Sequence, residues 1–135
     1  MLFFSKDKSK SNKTEIFKVI YGENFTLAVG NLTYLDNNKY KIDFVITDNL
    51  NCIPNAPVCH ELADFIFRAL LNVIAKKSDC LCVVGKSLID KHFSNNNFSD
   101  SYITDFGFSY SKLQKAYIVN SSEICFTSCC KSCNM

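Results

Sequence analysis

A chain of 135 residues, 47% of them hydrophobic, is long enough to bury one core, and its length predicts a single domain. Its apolar runs fall short of the roughly 18 to 20 residues that a membrane-spanning helix needs, so no transmembrane segment is expected. A formal net charge of +2 is too small to indicate a nucleic-acid partner, and no specific nucleic-acid binding is expected.

The N-terminal residues predict a flexible basic arm. Met1–Phe4 is too short for the apolar core of a signal peptide, so a cytoplasmic location is expected, in the host cytoplasm if the chain is viral. The polar stretch that follows contains no large apolar side chain whose burial would offset the entropy of ordering. We therefore expect an arm over residues 1–14, a domain over 15–128 and a cysteine-rich tail over 129–135.

The segment after the arm has the alternation and the turn residues of a three-stranded antiparallel meander. The predicted strands are residues 16–21, 25–35 and 40–47. In the third strand Ile42 and Phe44 share one face, while Lys41 and Asp43 take the other, which is typical of a sheet with one solvated side. The second strand changes phase, and we expect a bulge at Gly30–Asn31 to restore it.

Residues from Pro57 to Lys77 carry apolar side chains at helical spacing, which predicts one principal helix packed across the sheet. Asp64 and Arg68 are placed to form an i,i+4 ion pair on its polar strip. The later predicted elements are a buried strand at 80–84, a helical turn at 86–93, and strands at 102–110, 115–120 and 124–127. The fold class is therefore α+β, with an antiparallel sheet of about five to seven strands and one principal helix at about 57–77.

The order of these elements is a small meander, one long helix, and then a strand that ends near a polar turn. Over residues 16–119 this order resembles that of an uncharacterised family of small bacterial α+β proteins. The resemblance implies a fold and no activity.

The chain ends in an unusual cluster of thiols with the pattern Cys-x3-Cys-Cys-x2-Cys, formed by Cys125, Cys129, Cys130 and Cys133. Four thiolates are enough for a tetrahedral zinc site, which makes metal binding the alternative function. Only Cys130 and Cys133 have the spacing of a zinc knuckle, so disulfide or thiol-redox chemistry, acylation and incidental thiols remain open. Residues that could join the cluster are Cys52, Cys59, His60, Cys80 and Cys82, although the last two alternate along a strand and are expected in the core.

Catalytic chemistry has little support in the sequence. Cys59 with His92 and Asp90 is the one assembly that would permit a thiol nucleophile with a base and an orienting group. No lysine-bearing phosphate loop and no dinucleotide-type glycine pattern occurs. The sequence therefore predicts no catalytic residues and no cofactor, with zinc as the alternative.

The function expected from these observations is protein binding. Lysine, asparagine, phenylalanine and isoleucine are frequent and Arg68 is the only arginine, which is typical of AT-rich codon usage in certain bacteria, phages and viruses. We expect an accessory protein of a virus, phage or other mobile element that acts on a partner protein or forms a homodimer by edge pairing. The contact surface is expected on the open side of the sheet or at an edge, with Lys41, Asp43, Thr26 and Tyr34 displayed.

Overall fold

A computed structural model describes residues 2–7, 12–22, 25–53, 58–93 and 99–126 of the chain. Its strands are β1 (Leu2–Asp7), β2 (Thr14–Tyr21), β3 (Phe25–Leu35), β4 (Lys39–Ile46), β5 (Leu81–Gly85), β6 (Ser109–Ser111) and β7 (Ala116–Asn120). Its α-helices are α1 (Cys59–Ala75), α2 (Lys86–Phe93) and α3 (Ser99–Thr104), and short 3-10 helices lie at Asp48–Cys52 and Ser121–Glu123.

The seven strands form one sheet in the order β1-β2-β3-β4-β5-β7-β6. Neighbouring strands are antiparallel except for β4 and β5, which run parallel with Lys39 opposite Leu81. A parallel pair needs a long crossover connection, and α1 lies in that connection between β4 and β5. The predicted α+β class, with a largely antiparallel sheet and one principal helix, is confirmed.

The meander follows the prediction closely, but its bulge lies elsewhere. Val19 pairs with Ala28 and Ile20 pairs with Thr26, so the extra residue is Leu27. Leu27 and Ala28 are both fully buried, because the bulge turns two successive side chains toward the core. The expected bulge at Gly30–Asn31 is wrong, since those residues pair regularly with their neighbours on β4.

Helix α1 lies against the middle of the sheet because its apolar stripe is wide and one strand residue has no side chain. A Cβ at Gly30 would lie 2.9 Å from Cδ1 of Leu70 and 3.1 Å from Cδ1 of Ile66. The helix therefore approaches β3 more closely than any larger residue would permit. Burial of this stripe supplies much of the core.

At the middle of α1 the core contains an aromatic cluster centred on Phe67. Its ring lies 6.4 Å from that of Phe44 on β4 and 6.0 Å from that of Phe93 on α2. It lies 5.6 Å from the ring of Phe106, which follows α3. One side chain thus connects the sheet with all three helices, because Tyr102 of α3 is also within 6.0 Å.

The expectation of a flexible arm over residues 1–14 is wrong for Leu2–Asp7, which pair with β2 along their whole length. The composition of residues 1–14 does not predict this strand, because the strand is held by contacts with particular residues of β2. Phe4 stacks on Phe17 with ring centroids 5.1 Å apart, and Lys6 forms an ion pair with Glu15 at 3.1 Å. The tail at 129–135 lies outside the described residues.

Two strands expected near the C-terminus are also corrected. The strand at 102–110 is replaced by α3 and a turn, with only Ser109–Ser111 extended, because Tyr102, Ile103 and Phe106 also fit a helical period. After β7 the side chain of Asn120 accepts a hydrogen bond from the Ser122 amide at 3.2 Å and turns the chain into a 3-10 helix. The described part of the expected strand at 124–127 is therefore not in the sheet.

The single arginine, Arg68, connects the last described segment, which reaches Phe126, to α1. Arg68 is paired with Asp64 at 2.9 Å, as the spacing predicts, and its Nη1 donates to the Phe126 carbonyl oxygen at 2.6 Å. The Tyr102 hydroxyl donates to the same Asp64 carboxylate at 2.5 Å. Burial, followed by this hydrogen bond, raises the pKa of Tyr102, so the hydroxyl stays protonated and continues to donate. The role of Arg68 is therefore structural.

Candidate interaction surface

The sheet has one face covered by helices and one face that no α-helix of the described residues covers. The described helices pack on the same side, where their buried residues join Phe17, Ile42 and Phe44 in one cluster. Alternation and register place the following residues of β1 to β4 on the other side, which we call the open face: Phe3, Ser5, Asp7, Ile16, Lys18, Ile20, Thr26, Val29, Asn31, Thr33, Lys41, Asp43 and Val45. None of them is buried.

The open face carries two exposed large apolar side chains, Val45 and Phe3. Val45, on the central strand β4, is 53% exposed, and Phe3, on the edge strand β1, is 51% exposed. The half-buried Ile20 lies opposite Phe3, and the half-buried Val29 lies opposite Val45. Apolar residues at these positions are the ones that a partner surface would remove from water.

Charged residues interrupt this apolar area in pairs of opposite sign. Lys18 and Asp7 form an ion pair at 2.8 Å. Lys41 and Asp43 lie two residues apart on β4, both exposed, and one carboxylate oxygen of Asp43 accepts a hydrogen bond from the Phe44 amide at 2.9 Å. A mixed apolar and charged surface of this kind is typical of protein contact surfaces rather than of nucleic-acid sites.

Three of the four residues expected on display lie on the open face. Lys41 and Asp43 lie on the open face, whereas Tyr34 faces the helix side, where its ring meets that of Tyr40 edge-on at 5.2 Å. Thr26 is half-exposed and shares the open face with Ile20, with which it pairs, and its carbonyl oxygen accepts a hydrogen bond from the Thr47 hydroxyl at 2.6 Å. The sequence did not indicate Phe3, because three apolar residues in a row show no strand alternation.

The cysteines that the structure describes are dispersed. Cys80 and Cys82 are buried in the core as expected, and burial raises the pKa of the Cys82 thiol far above its usual value. Cys52 and Cys59 are exposed, and Cys125 is half-buried with its amide donating to the Phe106 carbonyl oxygen at 2.9 Å. Within the described ranges no three His, Cys, Asp or Glu side chains gather as metal ligands. Three of the four predicted metal ligands, Cys129, Cys130 and Cys133, lie outside those ranges.

The assembly considered for nucleophilic catalysis is not joined by hydrogen bonds among the described residues. Asp90 pairs with Lys86 at 2.8 Å, and Cys59 lies at the exposed start of α1. His92 packs its ring 4.7 Å from that of Phe44, and burial followed by the charge of Lys91 lowers its pKa. His92 therefore fills the edge of the core.

A cavity of about 310 Å³ lies on the helix side of the sheet, lined by Asn12, Lys13, Glu15, Tyr34 and Tyr40. The Glu15 carboxylate in this cavity is already paired with two lysines of the protein. Its Oε1 atom pairs with Lys6 at 3.1 Å, and its Oε2 atom pairs with Lys77 at 3.0 Å. Lys77 also lies over the Tyr40 ring at 4.9 Å. These contacts serve to hold β1, β2 and the end of α1 together.

The Glu15 cluster, formed by Glu15 with Lys6 and Lys77, predicts how the stability of the protein changes with pH. Burial would raise the pKa of Glu15, but hydrogen bonds from Lys77 and Lys6 and their charges outweigh it, so the pKa is lowered. A lowered carboxyl pKa contributes stability above the unfolded value, and that contribution is lost as the pH falls through the folded value. We expect Glu15→Gln to flatten the loss of stability below about pH 4.5 in denaturant titrations.

Asp90→Asn, which removes the exposed Lys86–Asp90 pair, is the matched control and should leave that acid slope in place. If Glu15→Gln and the wild type lost stability with the same slope, the cluster would have no role in acid stability.

Two lysines of the N-terminal segment form ion pairs within the protein, because Lys6 pairs with Glu15 and Lys18 pairs with Asp7.

No helix of the described residues has the length and the apolar character needed to cross a membrane. No family model and no curated protein matches the chain.

A domain from Methanocaldococcus jannaschii DSM 2661 is similar to the chain in structure, with a TM-score of 0.43 and 14% sequence identity. The match covers 82% of this chain and 69% of that one. A similarity of this degree carries no inference about function, and the resemblance to a bacterial family in element order stays a prediction.

Proposed function

We propose that this chain is a non-catalytic, intracellular protein-interaction module that binds its partner through the open face of the sheet. The observation that carries the proposal is the exposure of Val45 at the centre of that face and of Phe3 at its edge. The AT-rich composition supports the further proposal that the chain is an accessory protein of a virus, phage or mobile element, acting in the cytoplasm on a host or partner protein.

The geometry supports binding for an energetic reason. Burying a half-exposed valine and phenylalanine together with the half-buried Ile20 and Val29 would remove their apolar side chains from water. The charges around it, Lys41 and Asp43, would form the polar rim that gives a contact its orientation. Two of the described residues that could carry chemistry, Cys82 and His92, lie in or against the core, and the exposed thiols of Cys52 and Cys59 belong to no group of three metal-ligating side chains within the described ranges.

The test compares proteins captured by the immobilised full chain with those captured by a face variant, using extract of cells that express the chain naturally. Val45→Lys places a charge at the centre of the open face, and we expect it to weaken partner binding by roughly tenfold or more. Because Val45 is exposed on a strand, the variant should unfold at nearly the same temperature as the wild type.

Phe25→Lys is the matched control. Phe25 is exposed to a similar extent, 47%, but it pairs with Tyr21 on the helix side of the sheet. The proposal predicts proteins that the wild type and Phe25→Lys retain and Val45→Lys loses. Identical capture by all three chains, or no capture by any of them, would contradict it.

A further inference from the structure

The two edges of the sheet differ in how they are protected against pairing with another chain. β6, at one edge, has three residues, two of them serine, and a very short edge strand is a common protection. β1, at the other edge, has six residues in unbroken register with β2. No strand of the described residues lies on the outer side of β1.

The charged residues of β1 do not protect its outer side. Lys6 is drawn toward Glu15 on one face of the sheet, and Asp7 is drawn toward Lys18 on the other, at 3.1 and 2.8 Å. β1 also contains no proline and no bulge, the other devices that keep edges apart. The first half of the strand, Leu2–Phe4, is apolar.

We propose that β1 pairs antiparallel with β1 of a second copy of this chain, across a twofold axis perpendicular to the sheet. This inference rests on the proposed function, because it names a partner for the edge of the open face. Such an axis places the open faces of both copies on the same side of the joined sheet. Even-numbered residues of β1 therefore lie opposite even-numbered residues of the second copy, and odd-numbered residues lie opposite odd-numbered ones. The two sheets become one sheet of fourteen strands, since each contributes seven.

The register that fits best is centred on Phe4. It places Phe4 opposite Phe4 of the partner subunit, Phe3 opposite Ser5, and Leu2 opposite the aliphatic stem of Lys6. Phe4 already stacks on Phe17 with an interplanar angle of 4°, so the pairing continues a row of four phenylalanine rings across the junction. It also extends the open face, because Phe3 then lies inside the joined sheet.

The neighbouring registers of the same parity are poorer. Centring the axis on Ser5 sets Phe4 against Lys6 and Phe3 against Asp7, which places apolar rings beside charges. Centring it on Phe3 pairs only the first residues and leaves Ser5–Asp7 without a facing strand. The Phe4 register uses most of the strand and lets the backbone groups of the edge bond to protein.

The test is disulfide trapping in the full chain. Phe4→Cys places two thiols across the axis, and we expect mild oxidation to give a covalent dimer whose new link maps by peptide mass spectrometry to the introduced cysteines. Leu113→Cys is the control, since Leu113 is 92% exposed in the β6–β7 turn at the opposite edge. A link at Leu113→Cys as abundant as that at Phe4→Cys would overturn the proposal.

A second arm does not disturb the Phe4 ring. Phe3→Cys and Ser5→Cys are both exposed positions, and a mixture of the two variants should form a mixed disulfide under the same conditions, several-fold more abundant than either homodimer. Sedimentation of the reduced wild type should show a dimer. A monomer at all concentrations, with neither link formed, would overturn the inference.

The outcomes separate the two proposals. Capture that depends on Val45 in a chain that stays monomeric removes the dimer and keeps the partner-binding face. A trapped β1 dimer whose stability and captured proteins are unchanged by Val45→Lys keeps the dimer and removes the wider use of the open face.

Discussion

Phe67→Ala is expected to lower the free energy of unfolding by about 3 to 5 kcal/mol, because it leaves a cavity at the point where the helices and the sheet meet. Phe67 is fully buried, and its ring is within 6.4 Å of those of Phe44, Phe93 and Phe106. Those partners lie on separate elements, so the surroundings cannot collapse around the cavity without moving a helix. Urea titration followed by circular dichroism measures the loss.

Phe65→Ala is the matched control for this change. Phe65 lies two residues earlier on the same helix and is 37% exposed, so the same deletion removes less buried surface. We expect it to cost about 1 kcal/mol or less. Equal losses for the two variants would show that the aromatic cluster does not hold the helices on the sheet.

Gly107→Ala is expected to cost about 2 to 4 kcal/mol, from two causes that add. Gly107 has φ of +104°, a conformation that L-residues rarely adopt. A Cβ there would also lie 2.7 Å from the Glu123 carbonyl oxygen, in the segment that Arg68 fastens to α1. Backbone cannot yield as a side-chain tip can, so the C-terminal segment would be displaced. Thermal unfolding and urea titration measure the cost.

Gly22→Ala separates the two causes. Gly22 also has a positive φ, +66°, but a Cβ there would meet no atom within 4 Å. We expect this variant to lose about 1 kcal/mol from backbone strain alone. If Gly107→Ala cost no more than Gly22→Ala, the close approach of Glu123 to Gly107 would not contribute to stability.

The elements that the sequence predicts well are those in which the hydrophobic pattern repeats without interruption along the whole element. The helix expected at 57–77 is observed at Cys59–Ala75, because its apolar residues repeat over several turns. The strand at Lys39–Ile46 is equally clear, since Ile42 and Phe44 alternate with charged residues. Cys80, just before β5, and Cys82, within it, are both buried, as their spacing of two residues predicts.

The features that sequence reasoning missed depend on contacts between distant residues. β1 is held by the Phe4–Phe17 stack and by ion pairs to β2, none of which is visible in the composition of residues 1–14. The position of the bulge is decided by the pairing of β2 with β3, and α3 by contacts of Tyr102 with Phe67. Phe3 therefore entered the candidate surface only once its register opposite Ile20 was known.

The most direct test of the central claim is native mass spectrometry of the freshly purified, reduced full chain beside its denatured mass. A binding module that needs no metal predicts a bare chain mass with no excess that a chelator removes, and the β1 pairing proposed above predicts in addition a species at twice that mass. A monomer that carries the mass of a metal ion, and loses it together with its fold when chelator is added, would contradict the claim. That result would identify the cysteines at 125–133 as a zinc centre instead.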